Sequence, residues 1–156
     1  MCIGGEMKKK LILLITVTSL CLYGCRSLQP IYNAVAIHDD ANTITLRCNG
    51  YGKTESDAIA DAGRYAIEQV LFRGVPNSNQ RNPLIGVDEN TAKKQHAQYL
   101  QELLDNERYL SFLTKTISLE NGRSYGKAWV VADVTINLRA LRNDLEQAGV
   151  IRKFGY

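Results

Sequence analysis

The amino-acid sequence predicts an α+β fold, a two-layer sandwich in which a small antiparallel or mixed sheet carries helices packed on one face. Three observations lead there. Residues 43–51 and 124–138 alternate apolar and polar side chains with period two, as half-buried strands do. Residues 55–73 repeat apolar side chains at spacings of three and four, as amphipathic helices do. The order along the chain is strand, helix, helix, hairpin, helix, which segregates the helices rather than interleaving them with parallel strands. With 156 residues, 45% hydrophobic and 22% charged, the chain has the size and composition of one globular domain. A formal net charge of +3 without a long basic stripe leaves no footprint for nucleic acid.

The first element reads as an address. Lys8, Lys9 and Lys10 precede an apolar run whose 12 residues, 11–22, are too few to cross ~30 Å of bilayer hydrocarbon. A positive cluster before such a run reads as a secretory signal, with Met7 its natural start and Met1 an alternative. The run ends in Leu22, Tyr23, Gly24 and Cys25, which resembles the lipobox of bacterial lipoproteins: an aliphatic residue, one intervening residue, a small residue, then cysteine. The resemblance implies that residues 1–24 are a lipoprotein-type signal peptide and that Cys25 becomes a lipidated N-terminus carrying thioether-linked diacylglycerol. Cleavage there removes Cys2 and Cys21, leaves Cys48 as the one free thiol, and brings the net charge to +1, with 16 basic and 15 acidic side chains.

Residues 25–42 read as the lipidated N-terminus and a tether ending in the turn cluster Asp39, Asp40, Ala41 and Asn42; Ile31, Val35 and Ile37 offer a short strand as the other reading. As a tether, its 17 residues after Cys25 reach at most ~56–61 Å. The α+β domain follows over residues 43–149. In the first strand Ile44, Leu46 and Cys48 share one face, which makes Cys48 a buried thiol acting as a small hydrophobe. Gly50, Tyr51 and Gly52 read as the turn out of it. Thr54 and Asp57 form a capping-box variant opening the helix at 55–73, whose face of Ala58, Ile59, Ala62, Ala66 and Val70 is small enough to lie close to a sheet. Gly74 and Pro76 stop it.

Residues 75–89 form a polar loop, long for a compact domain. A second helix is expected over 90–105 with Leu100, Leu103 and Leu104 inward; residues 109–113 read equally as helix or strand. The hairpin has arms at 113–119 and 124–138, with Asn121-Gly122 as its turn signal. Its second arm places Ala128, Val130, Ala132, Val134, Ile136 and Leu138 on one face. A last helix over 138–148 turns Leu138, Leu141 and Leu145 inward and stops at Gly149, leaving 150–156 as a tail.

This order resembles the small domains of flagellar-assembly lipoproteins, and the plan is similar to the lipoprotein components of type VI secretion membrane complexes. The shared residues are the lipobox at Cys25, the Gly50-Tyr51-Gly52 strand end, the capped alanine-rich helix from Thr54 to Val70, and the long alternating strand from Trp129 to Leu138. The long loop at 75–89 departs from that plan. The resemblance implies a non-enzymatic structural component of a trans-envelope machine, with lipid as its anchor, protein partners, and a homo-oligomer or ring as an open question. Arg26-Ser27-Leu28 after the cysteine has no aspartate at its first position and no acidic cluster, which implies the outer membrane and its periplasmic face.

Patterns that carry chemistry are weak. Residues 122–126 match G-x-S-x-G, but that mechanism needs a strand–turn–helix and a later histidine; here a strand follows, and both His38 and His96 come earlier. His38, Asp39 and Asp40 are adjacent, and adjacent residues rarely converge on one ion. Glu102, Asp105 and Glu107 read as a solvated helix face. We therefore expect no enzyme, no cofactor and no metal. The stronger signal is a surface: Tyr125, Trp129 and Val131 lie opposite the core stripe, with Tyr51 and Arg47 joining from the first strand, and aromatic and arginine residues are enriched at interface hot spots. The rival reading is that the last helix or the tether covers this face. A further alternative for function is a stand-alone periplasmic module that binds peptidoglycan, a peptide or a small ligand near the 75–89 loop.

Overall fold

The computed structural model describes residues 30–86 and 88–153. The signal segment, the lipobox and Cys25 lie outside the described residues. The fold is α+β: one four-stranded antiparallel sheet with helices on one face. The strands are β1 (Ala34–Asp39), β2 (Thr43–Gly52), β3 (Leu113–Ser124) and β4 (Lys127–Asn137), ordered β1-β2-β4-β3. The long central pair β2 and β4 runs in unbroken register from Thr43 opposite Asn137 to Gly52 opposite Ala128. Both outer strands carry register breaks, β1 between Ala36 and His38, β3 between Leu113 and Lys115 and again between Ser118 and Glu120. Bulges twist an edge and make it a poorer template for stray pairing.

β1 corrects the tether. Residues 34–39 are not a spacer but an edge strand, Ala34 opposite Cys48 and Val35 opposite Arg47. The strand reading wins because the turn at 40–42 is built to close a hairpin. The Asp40 carboxylate accepts from the backbone N–H of Asn42 at 2.7 Å and of Thr43 at 2.8 Å. These bonds hold its carboxyl below the usual range.

Helix α1 (Glu55–Glu68) opens on the expected capping box, Asp57 N donating to Thr54 Oγ1 at 3.1 Å and Thr54 N to Asp57 Oδ2 at 3.0 Å. It packs over β2 and β4 through Ala58, Ala62 and Ala66, all fully buried. Contrary to expectation, Gly50 and Gly52 do not turn the chain but belong to β2. Their missing side chains let the helix approach. A Cβ on Gly50 would collide with the Ala58 carbonyl oxygen and stand 2.6 Å from Ala62 N.

Past Glu68 the helix widens into a π turn, Gln69–Arg73, and ends at Gly74, whose φ of 72° suits glycine. The loop at 75–88 is not loose polar chain. It folds back so that Leu84 N donates to Val70 O and Ile85 N to Leu71 O, both at 3.0 Å, satisfying carbonyls at the helix end. Val75 and Ile85 are buried in the core, and Arg142 donates to Gln80 Oε1 at 3.1 Å.

The second helix arrives in pieces: α2 (Glu89–Gln95), α3 (Ala97–Leu100) and a π turn, Gln101–Asp105. His96, at φ −125° and ψ 36°, breaks it and re-aims the two parts so that Ala92 and the Leu100, Leu103 and Leu104 cluster all reach the core. The ambiguous stretch is a 3-10 turn, Arg108–Phe112, burying Tyr109 and Phe112. Helix α4 (Leu138–Gln147) buries Leu138, Leu141 and Leu145 as expected. Its Asp144 accepts from Tyr99 Oη at 2.6 Å and from Arg108 Nη1 at 3.0 Å, which ties it to the helical layer. Gly149, at φ 70°, ends it, and Val150 N and Ile151 N turn back to the Leu145 carbonyl, so the start of the expected tail packs against the core.

Cys48 is fully buried, and burial, with a small contribution from the nearby Asp133 charge, pushes its thiol up to about 12. A thiol is reactive as its thiolate. A maleimide at pH 8 is expected to leave Cys48 unmodified in the folded protein and to modify it fully in denaturant, read by intact mass.

Candidate interface on the open face of the sheet

Among the described residues, the helices cover one face of the sheet and no helix lies over the other, open face. On β4 the alternation is strict: Ala128, Val130, Ala132, Val134 and Ile136 are buried, while Trp129, Val131, Asp133 and Thr135 are half-buried on the reverse side. β2 alternates in step, with Thr45, Arg47, Asn49 and Tyr51 on that same reverse side. Helix α4 lies in the helical layer, so it does not cover this face.

The expected residues assemble as neighbours, with one exception. Tyr51 stands directly opposite Trp129, Asn49 opposite Val131, and Arg47 opposite Asp133. Arg47 grips Asp133 through two parallel bonds, Nε to Oδ1 at 2.8 Å and Nη2 to Oδ2 at 2.9 Å. This fork-to-carboxylate geometry lowers the Asp133 carboxyl and raises the guanidinium. A second polar pair, Thr45 and Thr135, joins its hydroxyls at 2.9 Å. The result is a preorganised polar stripe down the sheet centre. Apolar side chains flank it: Val35 on β1, 50% exposed, and Ile117 on β3, 41% exposed and opposite Asp133.

Tyr125 is the exception. It belongs to no strand but occupies the β3–β4 turn with Gly126, at φ 52° and 79°. Two consecutive positive φ values make a two-residue turn of the primed type. The expected Asn121-Gly122 turn is thereby displaced four residues along the chain. Gly122 lies inside β3, opposite Trp129, and a Cβ there would stand 2.7 Å from the indole. Asn121 instead donates to Glu55 Oε1 at 2.7 Å. The G-x-S-x-G match therefore spans a strand end and a hairpin turn.

Sequence reasoning missed two contributors. Ile117 carries no distinguishing signal in a strand of mostly polar residues. The second is an aromatic cluster at the N-terminal edge. Tyr32 meets Tyr51 edge-on at 5.4 Å and Tyr65 of α1 at 4.8 Å, and its hydroxyl donates to Asp61 at 2.9 Å. Part of the rival covering is real here, since Tyr51 Oη donates to the Ile31 carbonyl at 2.9 Å. Burial and the Asp61 carboxylate push the Tyr32 phenol up to about 12.

The other chemistry candidates disperse. Asp39 accepts from Asn79 N at 2.6 Å, Asp40 closes its turn, and Asp105 pairs with Arg64 at 3.5 Å. No three His, Cys, Asp or Glu side chains are placed to hold a metal ion among the described residues. No described helix is long and apolar enough to cross a membrane. A groove of about 750 Å³ opens beside the 75–88 loop, lined by Asn79, Gln80, Leu84, Arg142 and Ile151 among others. Comparison of the chain with protein-family models, with curated proteins and with solved structures finds no match.

Proposed function

We propose that this chain is an outer-membrane-anchored periplasmic lipoprotein, a non-enzymatic structural component of a trans-envelope machine such as a secretion system or a motility ring. Lipid on Cys25 holds it at the membrane, and the open face of the sheet holds protein partners. The observation that carries the reading is that face: a surface of Tyr51, Trp129, Val131, Ile117 and Val35 around the Arg47–Asp133 pair, left bare by the described helices. Two or three acyl chains hold a protein at a bilayer, where one does so only marginally. Confinement raises the effective concentration of partners, so individually weak contacts suffice.

The test is purification of the tagged protein from its native membranes in mild detergent after crosslinking, with size analysis and mass spectrometry. Recovery in a large assembly with envelope partners is the expected result. Recovery as a lone lipidated monomer would sink the reading. It would favour the alternative that the 750 Å³ groove supports, a stand-alone module binding peptidoglycan, a peptide or a small ligand between Gln80, Arg142 and Ile151.

A further inference from the structure

We infer that the β3–β4 hairpin tip, through Tyr125, seats in the headgroup region of the lipid bilayer, so that the domain stands on the membrane rather than hanging away from it. The inference rests on the proposal that Cys25 carries lipid. Its starting point is where the chain enters the domain. Ile31 is fixed at the end of β2, its carbonyl accepting from Tyr51 Oη at 2.9 Å and from Asn49 Nδ2 at 3.4 Å, while Asn33 O accepts from Asn49 N. From Cys25 to Ile31 is six residue steps, which span at most ~22 Å whatever their conformation.

The antiparallel ladder puts the hairpin tip at that same end. Tyr51, beside the entry point, stands opposite Trp129, and β4 begins two residues nearer the turn, at Lys127, with Tyr125 in the turn itself. At ~3.3 Å per residue the last ladder pair lies ~7 Å past Trp129 with the turn just beyond it, and about two strand spacings of ~4.8 Å separate it sideways from Ile31. A lipid on Cys25 thus reaches the level of the tip. The opposite end, at the Asp40–Asn42 turn, lies beyond it by most of the sheet's length.

The composition of the end fits a bilayer interface. Ile31 and Tyr125 are the two most exposed large apolar side chains described, at 76% and 75%. Tyrosine is enriched where an apolar ring meets headgroups. Tyr125 also holds a positive φ that turn positions of this kind normally give to asparagine, aspartate or glycine. Lys53, Arg123 and Lys127 are exposed at this end of the sheet, with Arg123 Nη2 donating to the Lys53 carbonyl at 2.7 Å, and anionic lipid attracts such cations. Glu55, bonded to Asn121, and Asp57, in the cap of α1, keep their charge, so three cations stand against two carboxylates and the end is only weakly positive.

The test uses full-length lipidated protein in vesicles of phosphatidylethanolamine and phosphatidylglycerol. A fluorophore is placed on Lys127→Cys at the tip or on Asn42→Cys at the far end, with buried Cys48 unlabelled. Shallow nitroxide lipids quench what they touch. The tip label is expected to be quenched about twofold or more relative to the far label. Adding Tyr125→Asn is expected to remove most of that difference while the melting temperature stays or rises, since asparagine suits the turn. Equal quenching of the two labels, or quenching at 127 unmoved by Tyr125→Asn, overturns the seat in a protein whose mass shows lipid on Cys25. A mass without that lipid overturns the anchor and the seat together.

Discussion

Gly50→Val is expected to abolish cooperative folding, and Gly50→Ala to lower the melting temperature by ~10 °C or more. Most small-to-large changes in a core cost ~1–3 kcal/mol, because side chains can shift. Here the obstacles are backbone. The new Cβ would meet the Ala58 carbonyl oxygen and stand 2.6 Å from Ala62 N, both in the first turns of α1. Relief requires lifting the helix off β2 and β4. That would open the contacts of Ala58, Ala62 and Ala66, whose small size brought the helix down in the first place. Against a total stability of ~5–15 kcal/mol, such a separation is decisive. Gly52→Ala also meets atoms fixed to the helix, Asp57 Cβ at 2.5 Å and Ala58 N at 2.6 Å, and is expected to be milder only because these lie in the exposed first turn of α1, which can shift without lifting the rest of the helix. Thermal unfolding followed by circular dichroism checks both.

Val131→Arg is expected to abolish recovery of envelope partners while leaving unfolding within ~0.5 kcal/mol of the parent. Val131 is half-buried on the open face, between Asn49 of β2 and Glu120 of β3. An arginine there can carry its head into solvent, or toward Glu120, without entering the core. It would nonetheless put a charge at the centre of the proposed docking surface, where desolvation is costly unless the partner supplies a counter-charge. Trp129 is a worse probe of the same face. Its indole covers Gly122, so truncation would bare the backbone of β3 and mix loss of stability with loss of binding. A Val131→Arg protein that still co-purifies with its partners would move the interface elsewhere.

The glycines show where sequence reasoning went astray. Gly50, Gly52 and Gly122 each read as turn signals, and each sits inside a strand. In all three the reason for glycine is space, for α1 in two cases and for the Trp129 ring in the third. Nothing local separates a glycine needed for its conformation from one needed for its missing side chain, since the object filling the space lies elsewhere in the chain. The true hairpin turn was hidden for the opposite reason. Tyr125 holds a φ of 52°, which its residue type argues against.

What was legible was periodicity. The alternation of β4, the alanine face of α1 and the leucines of α4 are each one-element patterns, and each buries the side chains it promised except Ile59 of α1, which is only partly buried. The pairing of Tyr51 with Trp129 and of Arg47 with Asp133 needed only the register of two adjacent strands. The Tyr32, Tyr51 and Tyr65 cluster and the breaks at His96 and Gln69 depend on three elements meeting, and no short stretch of sequence carries that. The strand in place of the tether had its signal in Val35 and Ile37, and the change matters. It leaves six residue steps between Cys25 and Ile31 in place of the seventeen of a full tether.

The most direct test of the open face as a docking surface is site-specific photocrosslinking in the native cell. A photoreactive amino acid replaces Val131 on the open face in one strain, and Lys94 on the exposed side of the helical layer in another. The expected result is a discrete crosslink from position 131 to an envelope protein, or to a second copy of this chain, with none from position 94. The same crosslinks from both positions, or none from 131 while the protein is folded, would contradict the proposal that this chain works by docking through its sheet.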